Sequence, residues 1–419
     1  MTAKKTKSLK FPRSFIWGTA TSAHQIEGNN KNSDWWQAEE NQEIKNFSGK
    51  ACNSYEMWRD DHELIRKMNN NAYRVGIEWA RIEPRMGKWD VEAMHHYIEV
   101  ISDLKKHNIK VMLTLHHFTN PAWFAARGGW TNPLNIKYFK RYVKYVIQHL
   151  GGLVDFWITI NEPGVYVDLS FLKGVWPPKL KDWKRAFLAY VNMAWAHRVV
   201  YKLIHNKLKD AKVGFAMNVM SFAAYKKHRL IELLYVHLAD RFINHSFYDL
   251  TKGKHDFLGV NYYFRVRLKQ KEGSLRPEVE EIKEQERELS DMGWMIYPHG
   301  IFDVLKDLAD FKLPIYITEN GIAARDDTKR VRFLIEHLRE IHHAINAGVD
   351  VRGYFHWSLL DNFEWDKGFE QRFGLVAVDF KTFKRSLKPS GMLYGEIAGT
   401  NSLEDKVCDR YLHNSESVK

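Results

Sequence analysis

Two short runs in this chain carry a glutamate at the end of an apolar stretch: Thr159-Ile160-Asn161-Glu162-Pro163 and Ile317-Thr318-Glu319-Asn320-Gly321. Residues 156–160 lead into the first glutamate and residues 315–318 into the second, and both stretches read as buried parallel strands. Each carboxylate therefore sits where a strand emerges into a loop. Two carboxylates on different strand ends are the minimum equipment for breaking a glycosidic bond, one as acid/base and the other as nucleophile.

The elements that must position such a pair recur along the chain. Apolar runs at residues 15–22, 72–79, 110–118, 156–161, 213–218, 257–263, 314–319 and 351–358 read as strands. Amphipathic stretches at 92–106, 136–150, 183–208 and 330–347 read as helices between them, with Gly348 as a C-cap after the last. The alternation predicts an α/β fold, a single (β/α)8 TIM barrel with loop insertions at its C-terminal face. A doubly wound open sheet is the alternative, weakened because no glycine-rich phosphate loop follows the first strand. Residues 1–10 read as a basic N-terminal extension, 11–399 as the barrel and 400–419 as a polar C-terminal tail. The Lys- and Glu-rich segment 269–291 reads as a loop with one short helix above the barrel mouth.

Nine polar or aromatic residues fall at the C-terminal ends of seven of these strands: Gln25, Arg74, His117, Asn161, Glu162, Asn261, Tyr263, Glu319 and Trp357. In a barrel those ends converge on one mouth, where active sites are built. Each has a bland reading taken singly: His117 as a hydrogen-bonded core histidine, Arg74 as a structural ion-pair partner, Trp357 as core. Together they place more polarity at one end than a folding core can use.

An eight-stranded barrel has a radius of roughly 7–7.5 Å, so strands four and seven face each other across roughly 13–14 Å. Two inward glutamates then leave a gap of roughly 5–6 Å, the spacing of a retaining pair, although the estimate leaves inversion open. A guanidinium lowers a carboxylate's pKa and a tyrosine hydroxyl can hold the anion, so Arg74 and Tyr263 suit Glu319 as nucleophile. Negative Glu319 would raise the pKa of Glu162, which suits it as acid/base. Asn161 beside it can bond a sugar 2-hydroxyl. Trp357 offers a flat apolar face for a sugar ring, Glu364 between Phe363 and Trp365 can bind two adjacent hydroxyls, and the Gln25 amide can do the same.

Composition is that of a soluble globular protein, with 45% hydrophobic and 27% charged residues. The net charge of +12 could attract nucleic acid or an anionic membrane, but the cations are scattered and read as a solvated surface. Cys52 and Cys408 lie too far apart in sequence to suggest a disulfide framework or metal spacing. The basic N-terminus lacks the apolar stretch of a signal peptide and no run approaches transmembrane length. The expectations are a cytoplasmic protein with no metal, no cofactor, and neither nucleic acid nor membrane as partner.

At this point the chain resembles glycoside hydrolase family 1, the β-glucosidase family. The matching runs extend from Phe11 through Gly28, Tyr73-Arg74, Trp79 to Pro84, Leu115 to Phe118, Asn261 to Tyr263 and Asp291 to Trp294 as far as Lys388-Pro389-Ser390. The resemblance implies Glu162 as acid/base and Glu319 as nucleophile. It implies Gln25, His117, Asn161, Glu364 and Trp365 as the pocket for the non-reducing sugar, with Trp357 as its floor. Arg74, Asn261 and Tyr263 match the shell around the nucleophile. The implied activity is a retaining, exo-acting β-glycosidase, a β-glucosidase acting also on galactosides and fucosides, with small β-glycosides or short β-linked oligosaccharides as ligands. Alternatives are a 6-phospho-β-glucosidase, which Glu364 disfavours although Lys367 lies nearby, and a non-catalytic sugar-binding barrel.

Overall fold

Eight parallel strands pair in sequence order around a closed ring: β1 (Ile16–Ala20), β2 (Ala72–Gly76), β3 (Lys110–Thr114), β4 (Phe156–Asn161), β5 (Lys212–Ala224), β6 (Leu258–Gln270), β7 (Ile315–Asn320) and β8 (Val351–Trp357). Pairing of β8 with β1 closes the ring. The computed structural model describes residues 8–280 and 288–414. Each strand is followed by a helix, in turn α1 (Ser54–Lys67), α2 (Val91–Lys106), α3 (Ile136–Leu150), α4 (Trp183–Lys207), α5 (Leu230–Ala239), α6 (His299–Leu308), α7 (Asp327–Asn346) and α8 (Pro389–Thr400). This is the expected (β/α)8 barrel.

The apolar pattern explains both layers. Alternate strand residues point inward, where Ile16, Ala72, Met112, Phe156 and Tyr316 fill the barrel interior. Their neighbours Trp17, Tyr73, Val111, Trp157 and Ile317 point outward and pack beneath the helices. Helix α3 buries Ile136, Phe139, Tyr142, Val143, Val146 and Leu150, three or four residues apart, as one apolar face. Asp90 and Asp182 accept backbone N–H groups at the starts of α2 and α4, satisfying donors that a helix leaves unpaired.

Strict alternation fails at two places, and both carry a glutamate. Between Ile158 and Asn161, β4 advances three residues while β5 advances two, from Gly214 to Ala216. The extra residue is a bulge, and Thr159 and Ile160 consequently both face outward, Thr159 Oγ1 lying 2.7 Å from the His197 ring on α4. Asn161 thereby returns to the inside. In β7 the step from Ile317 to Glu319 is matched by a single step from Val260 to Asn261, which turns Glu319 inward after inward Tyr316 and Thr318. Gly321 then passes close to β8: a Cβ there would stand 1.8 Å from the Trp357 carbonyl oxygen.

Two expectations are corrected. Of the residues expected as an extension and a tail, those described are folded onto the barrel: Ser8–Lys10 pairs antiparallel with Ser402–Glu404, and Asp405–Asn414 is a helix with Cys408 buried. Val407, Cys408, Tyr411 and Leu412 recur at helical spacing and pack on the core, an apolar stripe hidden in a polar sequence. Residues 1–7 and 415–419 lie outside the described residues. The segment 269–291, expected as a loop with a short helix, begins instead as a hairpin in which Pro277–Val279 pairs with the end of β6. Residues 281–287 of that segment also lie outside the described residues.

Candidate active site

All eleven residues singled out in the sequence meet at the C-terminal mouth of the barrel. Arg74 lies at the centre, wholly buried on β2. Its Nη1 donates to Glu319 Oε1 at 2.5 Å and to the Thr318 carbonyl at 3.1 Å, its Nη2 to Asn161 Oδ1 at 2.6 Å, and its Nε to Thr114 Oγ1 at 3.2 Å. The Tyr263 hydroxyl donates to the other oxygen of Glu319 at 2.5 Å. One carboxylate is thus held by a cation and a phenol together.

Glu162 has no such cation. It follows the β4 bulge with φ near +42°, a left-handed backbone that aims its side chain across the mouth. Asn261 Nδ2 donates to its Oε1 at 2.7 Å and Asn218 Nδ2 reaches the same oxygen at 3.4 Å. Burial pushes its carboxyl up to about 8, and the negative charge of Glu319 adds to that, against the opposing hydrogen bond from Asn261. Burial also raises Glu319, but there the Arg74 charge and the Tyr263 hydroxyl pull downward. The cause differs in part from the sequence expectation: desolvation outweighs the neighbouring charge at Glu162. A cation and a phenol favour the ionised form at Glu319, where Glu162 has hydrogen bonds from amides.

The remaining residues line a cleft beside this pair. Asn161 Nδ2 lies 3.1 Å from His117 Nε2, and burial holds the His117 ring neutral, its pKa well below the usual histidine range. The ring stands between Trp357 and Trp365, with centroids 5.8 and 6.1 Å away. Its buried Nδ1 has no hydrogen-bond partner among the described residues. Gln25 Nε2 donates to Glu364 Oε2 at 3.2 Å and to the Phe363 carbonyl at 2.9 Å, while Ser22 Oγ donates to its Oε1 at 2.7 Å. Glu364 keeps some solvent contact, and burial followed by the charge of Glu319 pushes its carboxyl up to about 8.

Sequence reasoning missed Asn218, Thr318 and Asn362. Thr318 Oγ1 donates to Asn261 Oδ1 at 2.6 Å and so fixes which end of that amide faces Glu162. Asn362 Oδ1 accepts from Gln25 at 3.1 Å. Asn218 closes the stretch read as the fifth strand, so the rule that selected its neighbours would have found it. A surface groove of about 550 Å³ lies at the opposite, N-terminal end of the barrel between Lys110, Asp155 and Lys212 and contains none of these residues.

Among the described residues, one group could present three ligand atoms to a metal, Asp240, His245 and Asp307. It sits outside the barrel. His245 Nε2 lies 3.4 Å from Asp240 and 2.5 Å from Asp307, and hydrogen bonds to the two, Asp240 first, push its pKa up to about 9. An imidazolium has no lone pair for a cation, so the group is an ion-pair cluster.

Comparison with known proteins agrees with this geometry. The sequence model of glycosyl hydrolase family 1 matches residues 7–252 and 239–403. The chain is 32% identical to a 1,4-β-D-glucan glucohydrolase of Thermotoga neapolitana over 94% of this chain and all of that protein. It is 30% identical to a β-galactosidase of Pyrococcus woesei over 96% of this chain and 99% of that one. Among solved structures, a β-glycosidase from Pyrococcus horikoshii superposes with a TM-score of 0.92 at 40% identity, covering 97% of this chain and 99% of that chain. Two carboxylates at the ends of β4 and β7, in a barrel whose sequence matches over nearly its whole length, lead to one conclusion: the chain belongs to glycosyl hydrolase family 1.

Proposed function

We propose that the protein removes single β-linked glucosyl residues, and by the same pocket galactosyl and fucosyl residues, from the non-reducing ends of small glycosides or short oligosaccharides, with retention of configuration. The observation that carries this is the unequal setting of the two carboxylates, one paired with Arg74 and Tyr263 and the other held only by amides. Ionised Glu319 attacks the anomeric carbon as the bond to the leaving oxygen breaks. Glu162 gives that oxygen its proton. The resulting ester to Glu319 is then cleaved by a water that Glu162 deprotonates, which restores both groups. The gap of roughly 5–6 Å expected between strands four and seven supports this double displacement over direct attack by water.

Asn161 is set to bond the sugar 2-hydroxyl, because Arg74 and His117 hold its amide from both sides. Glu364, Gln25 and His117 bind the outer hydroxyls, with Trp357 and Trp365 flanking the ring. The 6-phosphoglycoside reading draws no support here. Glu364 offers a phosphate no positive charge, and Lys367 is engaged by Asp366 at 2.7 Å.

A panel of p-nitrophenyl β-glycosides tests the proposal: glucoside, galactoside, fucoside, mannoside and 6-phosphoglucoside. Release from the unphosphorylated glucoside is expected. Activity confined to the phosphorylated sugar would overturn the assignment of the Glu364 pocket, and silence on all five would return the protein to a binding role.

Two further results are expected. Turnover needs Glu162 protonated and Glu319 ionised, so kcat/KM should fall as pH rises through about 8, where Glu162 loses its proton. A profile flat through pH 9 would sink that assignment. Glu364→Ser should raise KM by about tenfold or more, through the loss of its hydrogen bonds to the sugar hydroxyls, while Tm stays close to wild type. A collapsed Tm would mean that Glu364 is structural.

A further inference from the structure

Helix α5 is turned inside out. A surface helix normally buries its leucines and wets its polar residues. Here Leu230, Leu233, Leu234 and Leu238 are exposed, Leu230 at 82%, and Phe242 at the start of the following turn is exposed at 72%. The buried face carries Glu232 and Tyr235 instead. Both are fully used: Glu232 accepts the backbone N–H of Lys226 at 2.6 Å, and the Tyr235 hydroxyl donates to the Leu275 carbonyl at 2.5 Å. Glu232 also accepts the Gln270 backbone N–H at 3.3 Å, and with the Tyr235 bond this fixes the helix against the β6 hairpin, so its leucines cannot turn inward.

The face continues onto α4, where Trp183 and Phe187 are exposed at 69% and 64%. The Tyr190 hydroxyl lies 2.7 Å from Ser246 Oγ, and Ser246 Oγ donates to the Phe242 carbonyl at 2.5 Å. Phe187, one turn before Tyr190, and Phe242, one turn before Ser246, flank that junction. An exposed apolar patch spanning two elements on a soluble domain marks a contact surface.

Charge decides what it contacts. Lys226, Lys227 and Arg229 stand exposed at the start of α5, Arg241 at its end, and Lys184 and Arg185 beside Trp183. The three arginines are paired, Arg229 with Glu232 at 3.7 Å, Arg241 with Asp249 at 2.8 Å and Arg185 with Asp182 at 3.6 Å, while Asp240 lies against His245, so the excess positive charge of this rim rests on Lys226, Lys227 and Lys184. A second copy of this chain would bring like charges together around the rim. An anionic lipid surface meets the cations with phosphates and takes the leucines and aromatic rings into the boundary below. We propose that α5, with the exposed edge of α4, is a peripheral docking face for anionic membranes. No helix among the described residues is long and apolar enough to cross a membrane, and lying on one requires only such a face. The proposal departs from the sequence expectation of no membrane partner and does not depend on the glycosidase reading.

The test is flotation of the full chain with vesicles of phosphatidylcholine, with and without phosphatidylglycerol, at low and high salt. Binding should be about tenfold or more stronger with phosphatidylglycerol and should weaken with salt. The triple variant Leu234→Ser, Leu238→Ser, Phe242→Ser should lose about tenfold or more of it while keeping full activity on a soluble p-nitrophenyl glycoside. Lys226→Gln with Lys227→Gln should also weaken binding, which keeps the test decisive if the triple variant misfolds. Equal binding by wild type and folded variants, or no preference for anionic vesicles, would overturn the proposal. A lipid-free dimer dissolved by the triple variant would overturn it too, assigning the face to a second copy.

Discussion

Glu319→Ala should lower kcat on p-nitrophenyl β-glucoside by on the order of 10⁵-fold, because no other group at the mouth can attack the anomeric carbon. The fold should survive, since Arg74 keeps its bonds to the Thr318 carbonyl, Thr114 Oγ1 and Asn161 Oδ1. Near-ultraviolet circular dichroism checks that. Azide fits the space the carboxylate leaves and should restore turnover, attacking from the face opposite the leaving group while Glu162 still protonates it. One displacement inverts configuration, so the product is the α-glycosyl azide. A β-azide from this variant, or residual activity within about tenfold of wild type, would remove Glu319 from the nucleophile's role.

Glu162→Ala is expected to discriminate between leaving groups. A dinitrophenyl glycoside departs without a proton, so glycosylation of Glu319 should continue with little loss. An alkyl glycoside needs the acid and should slow by about 10²–10⁴-fold. Hydrolysis of the ester also slows, because no base activates water, and azide occupying the vacated space should accelerate it. Two displacements retain configuration, so the product here is the β-glycosyl azide. The fall in kcat/KM near pH 8 should become shallower as well, since Glu162 no longer titrates there and only the Glu364 carboxyl, also pushed up to about 8, is left to do so. Identical azide stereochemistry from the two variants would overturn both assignments.

The paired tests turn on a feature that the primary structure conceals. Reading β4 and β7 as regular strands puts Ile158 and Tyr316 inside, and strict alternation from them would send Asn161 and Glu319 outward. The bulges return both residues to the mouth. Nothing in the Ile-Thr-Ile-Asn-Glu or Ile-Thr-Glu-Asn-Gly order announces an extra residue, because a bulge is a relation between two strands. The Gly321 position is a partial exception, since a glycine beside a functional turn signals a close backbone approach that here is made by Trp357.

Much else was legible. Strand-length apolar runs and helical periodicity are local properties, so they specify the eight strands, four of the helices between them and the mouth to which Arg74, Asn161, Glu162 and Glu319 belong. The sequence by itself determined which chemistry was available. Only the tertiary structure decided the rest: that Arg74 and Tyr263 grip Glu319, that burial more than charge keeps the proton on Glu162, that residues 402–414 fold back onto the barrel, and that α5 turns its leucines to the solvent. Each depends on contacts between residues distant in the chain, where desolvation and hydrogen-bond pairing override local preference.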